Sequence, residues 1–183
     1  IPFWYPPFEG EQLNESEFPM HAVTQRPMAM YHSWGSQNAW LRQIIGRNWL
    51  YMAREMAAKL GIADGDWVDV ISHHGRIKGQ VKLMDGQNPD TVWTWNAIGK
   101  RSGAWGLDAD APEAKKGFLL NHLISELLQE REGGYRYSNS DPVTGQAAWY
   151  DLRVRVERSE QSAISAPQFA RLQSPIRGGG RRP

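Results

Sequence analysis

Apolar positions along this chain recur with two different periods. Trp67-Val68-Asp69-Val70-Ile71-Ser72 reads as a strand, and further on Ile77, Gly79, Val81 and Leu83 alternate with Lys78, Gln80 and Lys82. A period of two predicts strands with one face inward and one wet. His73-His74-Gly75-Arg76 lies between these runs and predicts the turn of a hairpin. Leu152, Val154 and Val156, alternating with Arg153, Arg155 and Glu157, predict a closing strand; Thr91-Val92-Trp93-Thr94-Trp95 predicts another. A short apolar run, Met20 to Val23, predicts a buried strand that delivers the chain into a loop starting at Thr24. The second period is helical. Leu50, Ala53, Ala57 and Leu60 fall on one helix face, with Asn48 as N-cap and Gly61 as the left-handed stop. Leu120, Leu123, Ile124 and Leu127 predict a second helix from about Phe118 to Leu128, ended by Gly133-Gly134. Asn38 to Ile45 predicts a short helical turn stopped at Gly46.

The strands are short and do not alternate regularly with helices, which disfavours a doubly wound parallel sheet and predicts a mainly β barrel with helical insertions. Residues 1–18, rich in proline, aromatic and acidic residues, are expected to form an extended arm; residues 19–158 the barrel domain; residues 159–183 an irregular tail. The run from Gly99 to Pro112 has no period, and a loop of that length tends to bind something or to border a partner. No internal repeat is visible.

Composition narrows the partner. With 183 residues a single core is expected, and a net charge of +1 supplies no global field for nucleic acid or an anionic membrane. The Arg177-Gly178-Gly179-Gly180-Arg181-Arg182 run reads as a flexible terminus rather than an RNA-binding segment. There is no cysteine, so thiolate metal sites and iron–sulfur ligation are excluded within the chain, while its redox compartment stays open. No apolar run approaches the length that spans a bilayer, and a soluble domain without direct membrane insertion is expected. The first residues are Ile1-Pro2-Phe3-Trp4, with no initiator Met, from which a fragment of a longer or processed protein is expected.

The richest chemistry lies in Thr24-Gln25-Arg26-Pro27-Met28-Ala29-Met30-Tyr31-His32-Ser33. An arginine fork grips phosphate through parallel hydrogen bonds, hydroxyls of Thr and Ser donate to further oxygens, and Tyr and His present flat faces with polar tips. The stretch reads as a cofactor clamp. Elsewhere, Asp64 and Asp66 flanking Gly65 read as a hydrogen-bonded turn rather than an acid–base pair or a calcium loop. His73 and His74 are expected to point apart into solvent, too few for zinc. Trp93, Trp95 and Trp105 fit a core or a subunit contact equally well.

Three blocks carry a family resemblance. The Thr24 to Ser33 loop with Asn38 and Trp40-Leu41 is the first. Asn48 through Leu60-Gly61-Ile62-Ala63-Asp64-Gly65-Asp66-Trp67-Val68 to Gly75 is the second. Asn121-His122-Leu123 with Asp141-Pro142-Val143-Thr144-Gly145-Gln146 and the closing strand is the third. In this order, from about Phe18 to Val156, they resemble the C-terminal dinucleotide-binding domain of the molybdopterin oxidoreductases, the dimethyl sulfoxide reductase family. The resemblance implies a double-psi β-barrel of the aspartate decarboxylase-like kind. It implies a bis(molybdopterin guanine dinucleotide) cofactor carrying molybdenum or tungsten, with the metal held mainly by other domains. Thr24, Arg26, Tyr31, His32 and Ser33 would line its pterin or phosphate region, with Asn38 nearby. Asn48 would lie beside the dinucleotide while capping its helix, the cap alone being a sufficient explanation. Asn121 would reach a guanine or pterin edge, or merely cap a helix, with Lys116 and Gly117 offering charge and close backbone approach.

Within the family the chain resembles catalytic subunits that act on inorganic sulfur compounds, such as sulfite dehydrogenase and polysulfide or thiosulfate reductases. The implied partners are the remainder of the catalytic subunit, an iron–sulfur electron-transfer subunit, plus a membrane anchor subunit. The implied location is cytoplasmic, membrane-associated through those subunits, with the periplasm left open. On this reading the domain alone catalyses nothing. Two readings from other classes stay open. One is a stand-alone double-psi barrel that recognises a partner or substrate without cofactor. The other is a self-processing decarboxylase cleaved at Gly35-Ser36.

Overall fold

The computed structural model describes residues 10, 13–31, 34–35, 38–96, 98, 117–130, 132–134, 136–141, 143–147, 151–160 and 168–169. Of the residues singled out above, His32, Ser33, Ser36, Trp105, Lys116, most of the 1–18 arm and the Arg177 to Arg182 run lie outside this set.

Nine strands and two short helices are described: β1 (Met20–Gln25), α1 (Ala39–Ile44), β2 (Leu50–Ala53), α2 (Arg54–Lys59), β3 (Trp67–Ile71), β4 (Gly75–Met84), β5 (Thr91–Trp95), β6 (Leu127–Glu130), β7 (Arg136–Ser138), β8 (Arg153–Arg158) and β9 (Gln168–Phe169). Six of them close on themselves in the order β2-β5-β1-β8-β3-β4, with β4 returning to β2. Two neighbouring pairs are parallel, β1 with β5 and β2 with β4; the other four contacts are antiparallel. This closed, mixed arrangement is the expected double-psi barrel, and closure leaves it no free sheet edge of its own. β6 and β7 form a separate hairpin, and β9, inside the segment expected to be irregular, pairs with the start of β4.

Alternation fills the interior. Met20, Ala22, Leu50, Met52, Val68, Val70, Ile77, Val81, Val92, Val154 and Val156 point inward as one buried cluster. Phe118, Leu120 and Leu123 belong to the same cluster and plug one end. Gly79 is the inward position of β4 where the Phe118 ring lies, so close that a Cβ there would stand 2.6 Å from it. The β3–β4 hairpin and the closing strand form as expected and the buried strand from Met20 is β1, but Lys78, expected on the wet face, is buried and paired with Asp69 at 3.9 Å.

Two helical expectations are corrected. Residues 50–60 do not form one helix capped by Asn48: Leu50–Ala53 pairs in register with Val81–Met84 as β2, and α2 covers only Arg54–Lys59 behind Ala53, which gives no side-chain cap. Leu50 and Met52 obey a two-residue period as well as Leu50, Ala53 and Ala57 obey a helical one, and four residues are too few to separate the two. Pairing to β4 decides it. Gly61, at φ 66°, ends α2 as expected. Likewise, Phe118 to Leu128 holds only a 3-10 turn, Leu120–Leu123, before Ile124 turns extended and β6 begins. The Leu123 carbonyl accepts from Ser72 Oγ at 2.7 Å, a tertiary bond that holds the chain out of a helical course.

Asp64 and Asp66 organise the turn into β3 at the opposite end from the plug. Asp64 accepts from the Leu83 amide at 2.7 Å and from Lys82 at 2.9 Å; Asp66 accepts from the Ala63 amide at 3.0 Å and pairs with Arg158. The Leu83 amide first, then Lys82, hold the Asp64 carboxyl below its ordinary value of 3.8. A depressed carboxyl stabilises the fold at all pH values above that ordinary value, and the contribution is lost as pH falls through the folded value. Asp64→Asn is therefore expected to flatten the acid limb of a stability profile below about pH 4. Because the group is half exposed the change at neutral pH stays under about 1 kcal/mol. Urea midpoints at pH 7 and pH 3 check this, and a variant losing as much stability in acid as the parent would exclude it.

His73 and His74 also depart from expectation. Turn residues escape strand alternation, and the two rings lie 3.5 Å apart, with His73 edge-on to buried Phe18 at 6.3 Å. Trp93 and Trp95 are on the outer barrel face, half-buried around Tyr51, whose ring stacks on Trp93 at 3.9 Å.

Candidate cofactor-binding site

Strand directions gather the candidate residues at one end of the barrel. β1 and β5 run parallel and both finish there, at Gln25 and Trp95; β2, antiparallel to β5, starts there just after Asn48. The Gln25 carbonyl accepts from the Asn96 amide at 2.8 Å, tying the two exits together. The acidic Asp64 turn and the Asp85 to Asp90 turn are at the other end, where β4 finishes and β5 starts.

Asn48 is the keystone of this end. It is 2% exposed, and its amide is fully engaged. Nδ2 donates to the carbonyls of Trp95 (3.0 Å), Ile98 (2.9 Å) and Phe118 (3.0 Å); Oδ1 accepts from Thr94 Oγ1 (2.7 Å) and the Trp95 amide (3.2 Å). It thus joins the start of β2, the end of β5 and residues 98 and 118, on either side of the Gly99 to Pro112 run, which lies outside the described residues. An amide with all its atoms committed shapes a site from behind rather than offering a hydrogen bond to a ligand.

The segment after β1 is rooted by Pro27 and Met30, both buried, while Thr24, Gln25, Arg26 and Tyr31 face outward. The Arg26 guanidinium lies 5.8 Å from the Tyr31 ring centre, a cation–π contact that holds its fork outward over a flat face. Tyr31 and Trp34 close a bridge, with the Trp34 amide donating to the Tyr31 carbonyl at 2.8 Å and the rings edge to face. Asn38 caps α1, its Oδ1 accepting from the amides of Trp40 (2.9 Å) and Leu41 (3.4 Å). Arg47 is turned to the Trp49 ring at 5.1 Å and to Gln80.

A second element stands beside the plug. Asn121, exposed on its 3-10 turn, lines a cleft of about 380 Å³ with Ile124, Ser125, Glu126, Ser138, Asn139 and Ser140, closed by Gly145 and Ala147. Amides and hydroxyls dominate its polar lining. Of the Asp-Pro-x-Thr-Gly block Gly145, at φ 71°, reaches the cleft, while Asp141 Oδ1 accepts from the amides of Val143 and Thr144 and from Thr144 Oγ1 at 2.7–3.0 Å. That motif is a self-bonded turn. Gly117 precedes Phe118 beneath it and is buried.

The structure therefore places Thr24 near the end of β1 and Arg26 beside Tyr31 on the loop that follows, Asn38 in a cap and Asn48 in a buried network, and sets Asn121 in a separate cleft. Ser125, Glu126, Ser138, Asn139 and Ser140 were not found from sequence, because the hairpin that assembles them lay where a helix was expected. The donor set of exposed guanidinium, hydroxyls and amides fits a large polar ligand with phosphates and a heterocycle. Among the described residues no three His, Asp or Glu side chains converge to hold a metal ion.

Residues 20–140 match the model of the family described as molydopterin (molybdopterin) dinucleotide binding domain. The chain is 54% identical over 171 residues, 92% of its length, to a sulfite dehydrogenase subunit of Allochromatium vinosum, of which it covers 18%. It is 23% identical over 167 residues, 88% of its length, to a dopamine dehydroxylase of Eggerthella lenta, of which it covers 14%. Its fold matches acetylene hydratase from Pelobacter acetylenicus with a TM-score of 0.62 at 17% identity, covering 87% of this chain and 21% of that one. The chain thus spans less than a fifth of the length of the curated relatives it matches.

Proposed function

The chain belongs to the molybdopterin dinucleotide-binding domain family, and we propose that it forms one wall of the site for a bis(molybdopterin guanine dinucleotide) in a larger catalytic subunit that oxidises or reduces an inorganic sulfur compound. The observation that carries the substrate class is the 54% identity, along nearly the whole chain, to a sulfite dehydrogenase subunit. When bound, the cofactor supplies the metal, molybdenum or tungsten, and the redox chemistry.

What this chain's own residues contribute is binding and shielding. Arg26 grips a phosphate with its fork while Tyr31 supports the guanidinium from behind; Thr24 donates a hydroxyl at the exit of β1, and His32 and Ser33, next in the sequence, add a ring and a hydroxyl. Asn38 acts on the site by holding α1 at the end of this loop. Asn48 acts indirectly, by fixing the exit of β5 beside the start of β2. Asn121 presents its amide to a pterin or guanine edge from the cleft, with Lys116 and Gly117 on the segment leading to it. The partners are the rest of the catalytic subunit, an iron–sulfur subunit that takes or gives electrons, and a membrane anchor subunit, on the cytoplasmic side. None of the described helices is long and apolar enough to cross a membrane.

Arg26→Ala in the full-length subunit tests the assignment. A charge-assisted hydrogen bond contributes about 1.5–3 kcal/mol, so retained guanine nucleotide should fall by about tenfold or more at limiting cofactor. The exposed position should leave the unfolding midpoint nearly unchanged, and Arg26→Lys should recover part of the loss as a point charge without the fork. Undiminished guanine nucleotide and metal content in Arg26→Ala would refute it.

A further inference from the structure

We infer that Met28, Trp34, Trp40 and Ile44, on the excursion between β1 and β2, form a docking face for the other domains of the same catalytic subunit, an inference that rests on the reading of this barrel as one domain of such a subunit. α1 buries none of its six residues against its own barrel, and Trp40 and Ile44, one helical turn apart, are 76% and 70% exposed. Trp34 is 74% exposed and Met28 fully so on the same excursion. A helix this short has no stability of its own in water and draws it from packing an apolar face. Large exposed apolar side chains gathered on one feature mark an interaction surface.

Three observations identify the occupant. Met28 and Ile44 offer no donor for phosphate or pterin, so the cofactor does not account for their exposure. The stretch from Pro19 to Arg54 contains no Asp or Glu but includes Arg26, Arg42 and Arg47, so a second copy laid face to face would set like charges against each other. A relative sharing 54% identity has more than four-fifths of its length outside the matched region, which is ample chain to supply the cover. The occupant is an apolar surface rimmed with carboxylates, contributed by the same polypeptide, and it seals the loop that carries Arg26 and Tyr31 against solvent.

Hydroxyl-radical labelling of the full-length subunit, purified with cofactor and free of it, tests this. Met20 and Met52, 1% and 0% exposed, serve as the slow references. Met28 and Trp40 are expected to label as slowly as a buried residue in both forms and at dilutions where the subunit is monomeric. Ile44→Glu in the loaded subunit is expected to raise labelling of Met28 and Trp40 while Met52 stays slow. Rapid labelling in the native subunit, protection that appears only with cofactor, protection lost on dilution to monomer, or no response to Ile44→Glu would each overturn the docking face. Guanine nucleotide content of the same samples reports on the cofactor reading separately, so either can fail without the other.

Discussion

Replacement of Asn48 by alanine is expected to lower the free energy of unfolding by about 4 kcal/mol, the largest effect of any single polar substitution in this barrel. Three carbonyls, one amide and the Thr94 hydroxyl lose their shared partner at once. Thr94 is wholly buried and cannot turn to water. Each group left unpaired in such a place costs about 1–3 kcal/mol, and partial relaxation recovers some of it. Asn48→Asp separates hydrogen bonding from shape. A carboxylate of the same size would face three carbonyl oxygens, so the folded state raises its pKa and favours the protonated form. A group whose folded pKa is raised loses stability as pH rises through that value. The Asn48→Asp protein should therefore gain stability on acidification from neutral pH, over a range in which Asn48→Ala shows no such gain. Denaturant titrations at several pH values measure both. A loss below about 1 kcal/mol for Asn48→Ala would show that the network contributes no more than solvated equivalents do.

Gly79→Val is expected to destabilise by about 3 kcal/mol, and Gly79→Ala by about 2. A Cβ at Gly79 would meet three ring carbons of Phe118 at 2.6, 2.8 and 3.1 Å, and that ring is 4% exposed inside the plug. Removing glycine from a strand restricts the unfolded chain and gains about 0.4–1 kcal/mol, less than the overlap costs. The clash wins. Because Phe118 leads directly into Leu120–Leu123 and Asn121, the displaced ring moves the cleft wall with it, so cofactor retention should fall together with stability. Phe118→Leu in the Gly79→Ala background should recover part of both, with a coupling of about 1 kcal/mol in a double-mutant cycle. Purely additive effects would mean that the two sites do not touch as described.

Some parts of this protein were legible in one dimension for a simple reason. Apolar and polar residues alternate along β4, ten residues, and β8, six, long enough for a period of two to stand out from a helical one. The exposed loop after β1 was legible as a loop, and the three-block order led to the family that residues 20–140 match. β2 was not legible. Leu50, Ala53 and Ala57 satisfy a helix as well as Leu50 and Met52 satisfy a strand, and only the Val81–Met84 backbone distinguishes them.

Asn48 shows the limit most sharply. Its position before an apparent helix suggested a cap, a local role, whereas its partners lie 46 to 70 residues away. The cleft around Asn121 is similar, since Ser138 to Ser140 meet it only after β6 and β7 pair. Residue types and their local spacing were enough for the barrel class and the family, because alternation, turn chemistry and motif order are properties of neighbours in the chain. Which amide is buried, where β2 begins and which hydroxyls share a cleft depend on groups far apart in the chain. Those groups are brought together by barrel closure and end-plugging, and no local pattern encodes them.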